Sequence, residues 1–202
     1  MNRTLQLTCA VALLQLATAC GGGRFSPYLR RNAQVDSEAG YIYGRFDYSS
    51  SGMKPGYYVP GMGLVLASDD DELRIQFLDR DARVYAVKPG TYSIKQTVCS
   101  NPDGDIIGRS PGSSAKEVQS FRVEPGKAYY IGDFHGQTRG DGLAGSCWID
   151  DFENNYEEAT AAFQKRYPSL KGLETQDVSG SLLTMPSQVS GSQVSGKGSD
   201  DS

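Results

Sequence analysis

Histidine, cysteine and tryptophan are scarce in this sequence of 202 residues, which holds one His, four Cys and one Trp. Structural zinc sites draw several ligands from closely spaced cysteines and histidines. His135 stands alone, and the cysteines lie far apart in the sequence. We therefore expect neither a metal centre nor a cofactor.

Basic residues and long apolar runs are also lacking. The 20 Lys and Arg are outnumbered by 24 Asp and Glu, for a formal net charge of −4. Nucleic-acid binding would call for a basic face, so no nucleic-acid partner is predicted. The N-terminal apolar stretch, residues 5–16, is interrupted by polar residues and is shorter than the ~20 residues of a membrane-spanning helix. This stretch suits the hydrophobic region of a secretory signal better.

The residues after this stretch refine that prediction. Residues 17–19 are small and stand directly before Cys20, which Gly21 follows. The arrangement resembles the lipobox of bacterial lipoproteins, which implies that residues 1–19 are a lipoprotein signal peptide and that Cys20 is lipidated. The lipobox prefers Leu three places before the cysteine, where this chain has Ala17. Two alternatives stay open: cleavage by ordinary signal peptidase to a soluble secreted protein, and an uncleaved anchor.

A lipidated cysteine would fix the location of the protein. At about 0.8 kcal/mol per buried methylene, two or three acyl chains hold a protein on a membrane almost permanently. By resemblance to known sorting signals, Gly21 rather than Asp after the cysteine implies the bacterial outer membrane, with the protein facing the periplasm or the cell surface. Residues 20–38 are then a lipidated tether.

The remaining cysteines are expected to form a disulfide. Cys9 leaves with the signal, and a thioether to lipid at Cys20 leaves an even pair, Cys99 and Cys147, in an oxidising compartment. A bridge would close a loop of roughly 50 residues and stabilise the fold by about 4 kcal/mol in the chain-entropy model. Two buried thiols are the alternative.

Composition divides the mature chain into one domain and a tail. From residue 173 onward Ser, Gly, Gln and Asp dominate, and the pentapeptide SQVSG occurs twice in succession. Such a segment has too little apolar surface to offset its ordering entropy, so residues 173–202 are predicted to be a disordered Ser/Gly-rich tail. Residues 39–172 suffice for one domain with one core.

Alternating segments predict a β-rich domain. The sequence has 24 Gly, and its 12 Tyr outnumber its 7 Phe, as is typical of exported β domains with many turns. Two V-x-P-G segments, 87–90 and 123–126, predict type II turns, because proline presets the first dihedral and glycine accepts the positive second one. Two such units favour a two-sheet antiparallel β-sandwich. The predicted strands are 41–46, 62–66, 73–77, 83–88, 91–98, 119–124, 127–134 and 146–149.

One amphipathic helix is predicted after the last strand. Asp150 and Glu153 make a start that resembles a capping box, and Pro168 ends the helix. A stripe of this kind packs on a sheet far more often than it binds a partner. Its apolar residues follow at spacings of four, three and four: Phe152, Tyr156, Ala159 and Phe163.

Taken together, these features resemble a known group of proteins. The lipobox-like start, the strand at 40–46, the two V-x-P-G turns and the helix over 152–168 are similar to small, mostly uncharacterised bacterial envelope lipoproteins. Those lipoproteins have a transthyretin-like or prealbumin-like β-sandwich domain. The resemblance covers most of residues 39–170. It implies a mainly β fold, transthyretin-like or Ig-like, with a C-terminal helix, and it supplies no catalytic residue.

Two segments mimic ligand-binding motifs without their context. Residues 140–145 match G-x-G-x-x-G, but they lead into a predicted strand rather than a helix. Residues 101–105 resemble the start of a calcium-binding loop, yet the twelfth position is Gly112 instead of a bidentate Glu. We expect a glycine loop and a solvated turn. Calcium at 101–105, or at the acidic residues 69–72, is a minor alternative.

Three residues are candidates for binding. Tyr57 and Tyr58 lie in a long Gly- and Pro-containing loop and could serve as aromatic anchors. His135 stands just past a predicted strand end, a common place for functional residues. Because no nucleophile is near it in the sequence, no catalytic residue is assigned. Trp148, beside Cys147, is predicted to pack in the core.

The sequence favours a membrane-anchored, non-enzymatic envelope lipoprotein. It would be held by the lipid on Cys20 and would act as a binding or structural module for another envelope component, most simply an envelope protein. Binding is expected at one end of the sandwich, where the predicted loops 49–61, 99–117 and 135–146 have freedom to specialise. The alternative is a periplasmic hydrolase, or an inhibitor of one, tethered at the outer membrane.

Overall fold

The structure, a computed structural model, describes most of the chain between residues 24 and 182. Candidate residues Cys20, Tyr57 and Tyr58 lie outside the described residues, as do the segment 101–105 and the end of the chain. The described ranges are 24–51, 61–100, 106–111, 120–141 and 144–182.

Ten strands and one α-helix are present in these ranges. The strands are β1 (Gly40–Ser51), β2 (Gly61–Ala67), β3 (Glu72–Phe77), β4 (Asp79–Val87), β5 (Gly90–Ser100), β6 (Ile106–Pro111), β7 (Ser120–Val123), β8 (Lys127–Asp141), β9 (Ala144–Glu153) and β10 (Glu174–Asp177). The helix is α1 (Tyr156–Arg166), and short 3-10 turns follow it at Pro168–Leu170 and Ser179–Ser181.

The strands form two five-stranded sheets. In the first, here called the mixed sheet, the order is β10-β8-β1-β4, and β9 pairs with the second half of β8. Its β1–β8 and β8–β10 pairs are parallel. In the second, the antiparallel sheet, the order is β3-β2-β5-β6, with β7 also paired to β5. The prediction of a mainly β, two-sheet fold with one C-terminal helix is confirmed, but antiparallel pairing throughout holds only for the second sheet.

The eight predicted strands coincide with β1–β5 and β7–β9. Strand β6 was not predicted and lies inside the predicted loop 99–117. The predicted helix start at Asp150 is wrong, because β9 continues to Glu153 and the helix begins at Tyr156. Phe152 consequently belongs to a strand and packs edge-on against Phe134, with ring centroids 4.7 Å apart.

Only one of the two predicted Pro-Gly turns has a glycine in the left-handed region. Gly126 has φ +70°, as a type II turn requires. Gly90 does not have a positive φ and is instead the first residue of β5. A further positive φ, +121°, occurs at Gly132 beside a register shift between β1 and β8. There an added Cβ would clash with the ring of Phe152, so only glycine fits.

The space between the sheets is filled by apolar side chains that alternate along the strands. Phe46 of β1 lies 5.8 Å from Phe134 of β8 and 5.7 Å from Phe77 of β3, measured between ring centroids. All three rings are almost fully buried. This aromatic cluster therefore joins both sheets into one core.

A disulfide also joins the two sheets. Cys99 of β5 is bonded to Cys147 of β9, with Cα atoms 5.8 Å apart, so the predicted bridge is confirmed. Both cysteines are buried and lie within strands. The bridge therefore ties the antiparallel sheet to the mixed sheet.

Helix α1 packs on the outer surface of the mixed sheet. Ala159 and Phe163 are its buried residues, and the ring of Phe163 stacks on that of Tyr43 at 4.6 Å. The Tyr43 hydroxyl shares a hydrogen bond of 2.7 Å with Thr160. The predicted packing of this helix on a sheet is thus observed. Among the described residues, no helix has the length and apolar character needed to cross a membrane.

The segment from Arg24 to residue 38 belongs to the folded domain. The backbone N–H of Ser26 donates to the carbonyl of Arg74 in β3, and that of Leu29 donates to the carbonyl of Val84 in β4. The segment thereby bridges the edge strands of both sheets and supplies hydrogen-bond partners for backbone carbonyls at those edges. The predicted tether over 20–38 is corrected accordingly, because these bonds begin at Ser26.

The C-terminal boundary is also corrected. Residues 174–177 form β10 and pair with β8, and the N–H of Val178 donates to the carbonyl of Tyr130. Leu182 is only 5% exposed and belongs to the core between the sheets. The predicted tail from residue 173 is therefore wrong for its first ten residues, in which a few apolar side chains complete the core.

Candidate functional site

The outer surface of the mixed sheet has a covered half and an open half. Helix α1 covers the first half, where Tyr41, Tyr43 and Tyr130 form a buried cluster with it. Beyond the helix, successive side chains of β1, β8 and β9 still point alternately toward the core and away from it. The side chains that point away from the core are mostly polar. We call this half the open face and define it by six residues: Asp47, Ser49, His135, Gln137, Trp148 and Asp150.

Strand pairing places these residues side by side. In the parallel β1–β8 pair, Asp47 is in register with His135 and Ser49 with Gln137. In the antiparallel β8–β9 pair, Gln137 is in register with Trp148. Because residues two apart on a strand share a face, the four residues of β1 and β8 form a square with Trp148 at its side.

A hydrogen-bonded chain runs through this square. Nδ1 of His135 lies 2.8 Å from Oδ1 of Asp47, and Nε2 lies 3.3 Å from Oγ of Ser49. The side chains of His135 and Asp47 are 31% and 18% exposed. A carboxylate can only accept, so neutral His135 carries its proton on Nδ1 and presents the Nε2 lone pair to the serine hydroxyl. The order acid, imidazole, hydroxyl is the one used to activate a serine nucleophile.

A second polar pair lies between β8 and β9. The side-chain amide of Gln137 donates from Nε2 to Oδ2 of Asp150 at 2.8 Å. Trp148 stands beside this pair and is 37% exposed. Its predicted position in the core is wrong, because the alternation that turns Cys147 inward to the disulfide turns Trp148 outward.

A charged cluster separates the open face from the start of α1. Asp133 is one outward position before His135 on β8, and its Oδ2 lies 3.6 Å from Arg45 and accepts from Asn155 at 3.2 Å. Arg45 also pairs with Glu158 of the helix at 3.0 Å. Burial raises the pKa of Asp133 above its usual value, although hydrogen bonds from Tyr130 and Asn155 and the nearby Arg45 work in the opposite direction. The cluster anchors the helix start on the sheet.

The structure changes the setting predicted for His135. Strand β8 runs to Asp141, so His135 lies inside a strand, and much of the predicted loop 135–146 is strand. Its neighbours Asp47 and Ser49 were not predicted, since they lie on a strand distant in sequence. The alternation of aromatic and polar residues from Phe46 to Ser49 was the only local sign that Asp47 and Ser49 lie on the same face of a strand. Among the described residues, no group of three or more His, Cys, Asp or Glu side chains is arranged to hold a metal ion.

Comparison with known proteins adds little to this geometry. No protein-family model and no curated protein matches the chain. A leucine-rich repeat protein from Bacteroides thetaiotaomicron is similar over 52% of this chain and 12% of that chain, with 12% sequence identity and a TM-score of 0.28. Likeness at this level supports no argument about fold or function. The resemblance to transthyretin-like lipoproteins stays a prediction, and the case for a function rests on the open face.

Proposed function

We propose that the protein is a lipid-anchored envelope module that binds another envelope component through its open face. Cys20 would hold it at the outer membrane. The observation that carries the proposal is the exposed Trp148 on a paired strand, among polar side chains that hydrogen-bond to one another. Exposed aromatic side chains surrounded by polar groups are typical centres of protein interfaces.

The open face is also preorganised. Cys147, the neighbour of Trp148, is bonded to the opposite sheet, which restricts movement of β9. Gln137 and Asp150 hold each other, as do His135, Asp47 and Ser49. A surface that is ordered before binding loses less conformational entropy when the partner arrives. These contacts favour a folded protein partner that meets the exposed surface of the sheet, and an envelope protein, the partner predicted from the sequence, fits this expectation.

The binding proposal is tested by site-specific photo-crosslinking of the full chain in cells. The crosslinker replaces Asp150 on the open face or, as a control, Lys95, which is exposed on β5 of the other sheet. We expect one discrete adduct from position 150, none from position 95, and loss of the adduct on Trp148→Ala. Equal adducts from both positions, or an adduct that Trp148→Ala leaves unchanged, would overturn the proposal.

The anchor is tested separately with Cys20→Ser. This variant should leave the membrane pellet and appear in the soluble fraction, because it lacks the thiol that would carry the lipid. Continued sedimentation with membranes at high salt would contradict lipid anchoring.

The alternative function, a tethered hydrolase, is favoured by one specific observation. The hydrogen-bonded order Asp47–His135–Ser49 places a carboxylate, an imidazole and a hydroxyl in the relation that serine hydrolases use.

A further inference from the structure

We propose that Ser49 is an acyl-accepting nucleophile, with His135 as its general base and Asp47 as the residue that orients the imidazole. This proposal goes beyond binding and does not require a bound partner. It stands on the geometry of four residues in two parallel strands: Asp47 and Ser49 on β1, and His135 and Gln137 on β8.

The base is positioned by both strands. Asp47 and Ser49 are two residues apart on one strand, so their side chains point to the same face of the sheet. The imidazole of His135, on the neighbouring strand, reaches both of them. The acid is bonded at 2.8 Å and the hydroxyl at 3.3 Å. In proteins without substrate the bond between nucleophile and base is often long and shortens on binding. The 3.3 Å separation suits a resting site.

Gln137 is the donor for the oxyanion. It is in register with Ser49 on the adjacent strand, so both side chains lie on the same face of the sheet. The amide carries two N–H groups, of which one donates to Asp150. The other can donate to the oxygen that becomes negative when a carbonyl carbon is attacked. Side-chain amides serve this purpose in known hydrolases.

The reaction and its substrate class follow from these groups. Ser49 Oγ forms a bond to the carbonyl carbon of a carboxylic ester, and its proton passes to Nε2 of His135. The bond from that carbon to the ester oxygen breaks, and the leaving alkoxide takes the proton from Nε2, so an alcohol departs. Water then attacks the acyl-serine by the same route and releases a carboxylic acid. Ester and water thus give acid and alcohol, and no further reactant is needed.

The surroundings select among esters. Asp47 and Asp150 carry negative charge near the square, which disfavours anionic acyl groups. Trp148, in register with Gln137, offers an exposed aromatic surface next to the reaction site. We therefore assign a neutral ester with an apolar or aromatic group as the substrate class.

The proposal is tested by labelling the full chain with a fluorophosphonate, which reacts with activated serines, and by mapping the modified peptide. We expect modification of Ser49, none in Ser49→Ala, and unchanged labelling in the matched control Ser50→Ala. His135→Ala should slow labelling about 100-fold or more, the usual contribution of a general base. Gln137→Ala should slow it by about 100-fold, as removal of an oxyanion donor does. Melting curves establish that each variant is folded.

A second measurement separates an activated serine from one that is only exposed. Hydrolysis of p-nitrophenyl acetate should show a burst equal to the protein concentration, lost in Ser49→Ala and strongly reduced in Asp47→Asn. Absence of label on Ser49 in the folded wild-type chain would overturn the proposal, as would labelling that His135→Ala leaves unchanged. The photo-crosslinking experiment detects binding without any reaction at Ser49. The binding proposal and the acyl-transfer proposal can therefore be contradicted independently of each other.

Discussion

His135 and Asp47 are 88 residues apart in the sequence, and their side chains are joined by a hydrogen bond of 2.8 Å. The contact exists because β1 and β8 are parallel neighbours with these two residues in register. Parallel neighbours need a long crossover connection. Here the connection includes the strands of the antiparallel sheet, so no local pattern in the sequence points from one residue to the other.

This contact predicts the tautomer of His135. Because Asp47 accepts from Nδ1, the neutral ring should carry its proton on Nδ1, the less common tautomer in free histidine. Nitrogen chemical shifts of the ring above neutral pH measure this directly. Asp47→Ala should shift the population toward the Nε2–H tautomer, whereas Ser50→Ala should not. An Nε2–H ring in the wild-type protein would contradict the assigned hydrogen-bond direction.

The disulfide should contribute a large share of the stability. Cys99 and Cys147 are 48 residues apart, a loop for which the chain-entropy model gives about 4 kcal/mol. We expect Cys99→Ser/Cys147→Ser to lower the free energy of unfolding by roughly this amount in urea titrations. Reduction of the wild-type protein should have the same effect and should not affect the double variant. A change well below 1 kcal/mol would show that the bridge is dispensable.

Truncation should locate the end of the domain. A chain that ends at Gly172 loses the pairing of β10 with β8 and the burial of Leu182, and it should melt at a markedly lower temperature. A chain that ends at Leu182 is the matched control and should melt like the full protein. Leu182→Ala alone should cost roughly 2–5 kcal/mol, the range for large-to-small changes in a core. Equal melting of both truncated chains would place the boundary before β10.

Asp133 should make stability depend on pH. Burial raises its folded pKa above the unfolded value near 3.9. Between these two values the folded state holds the proton and the unfolded state does not, so this group lowers stability as pH rises through the interval. Asp133→Asn cannot titrate, and its stability relative to wild type should increase with pH across that interval.

Urea midpoints of both proteins over a pH series give the comparison for Asp133. Arg45 faces Asp133, while Glu153 shares Asn155 with it and Glu158 shares Arg45, and all three are the same residues in both proteins, so the comparison isolates Asp133. If the wild-type protein gains stability relative to the variant as pH rises, attraction to Arg45 outweighs burial and the assigned direction is wrong.

The strands were predictable because alternation is a local property. Residues 73–77 alternate cleanly, and the structure buries Leu73, Ile75 and Phe77 in β3. Strand β10 was not predicted because Glu174–Asp177 is polar throughout and has no apolar alternation, although it pairs with β8 at the sheet edge. The helix start was misplaced because the capping-box-like residues Asp150 and Glu153 occur on a strand. The spacing of Asp150 and Glu153 alone could not distinguish a helix start from the end of a strand.

The candidate site was predictable only in part. His135 could be singled out because it is the only histidine, but its partners depend on which strands become neighbours and in which direction they run. Trp148 was assigned to the core from its place beside Cys147. Once β9 is known to be a strand, the position of Trp148 next to Cys147 predicts that Trp148 points outward. Adjacent residues of a strand face opposite sides of the sheet, and Cys147 faces the core.

The parallel pairing of β1 and β8 also governs how the protein folds. Strand β1 is interior in its sheet, yet β8 is synthesised only after the strands of the antiparallel sheet. Until then β1 has one partner, β4, and an unpaired edge that can join another chain. Contacts of such sequence separation are formed late, because the entropy of closing the intervening chain opposes them. Folding of the mixed sheet is therefore expected to be slow, and its last step assembles the Asp47–His135–Ser49 chain.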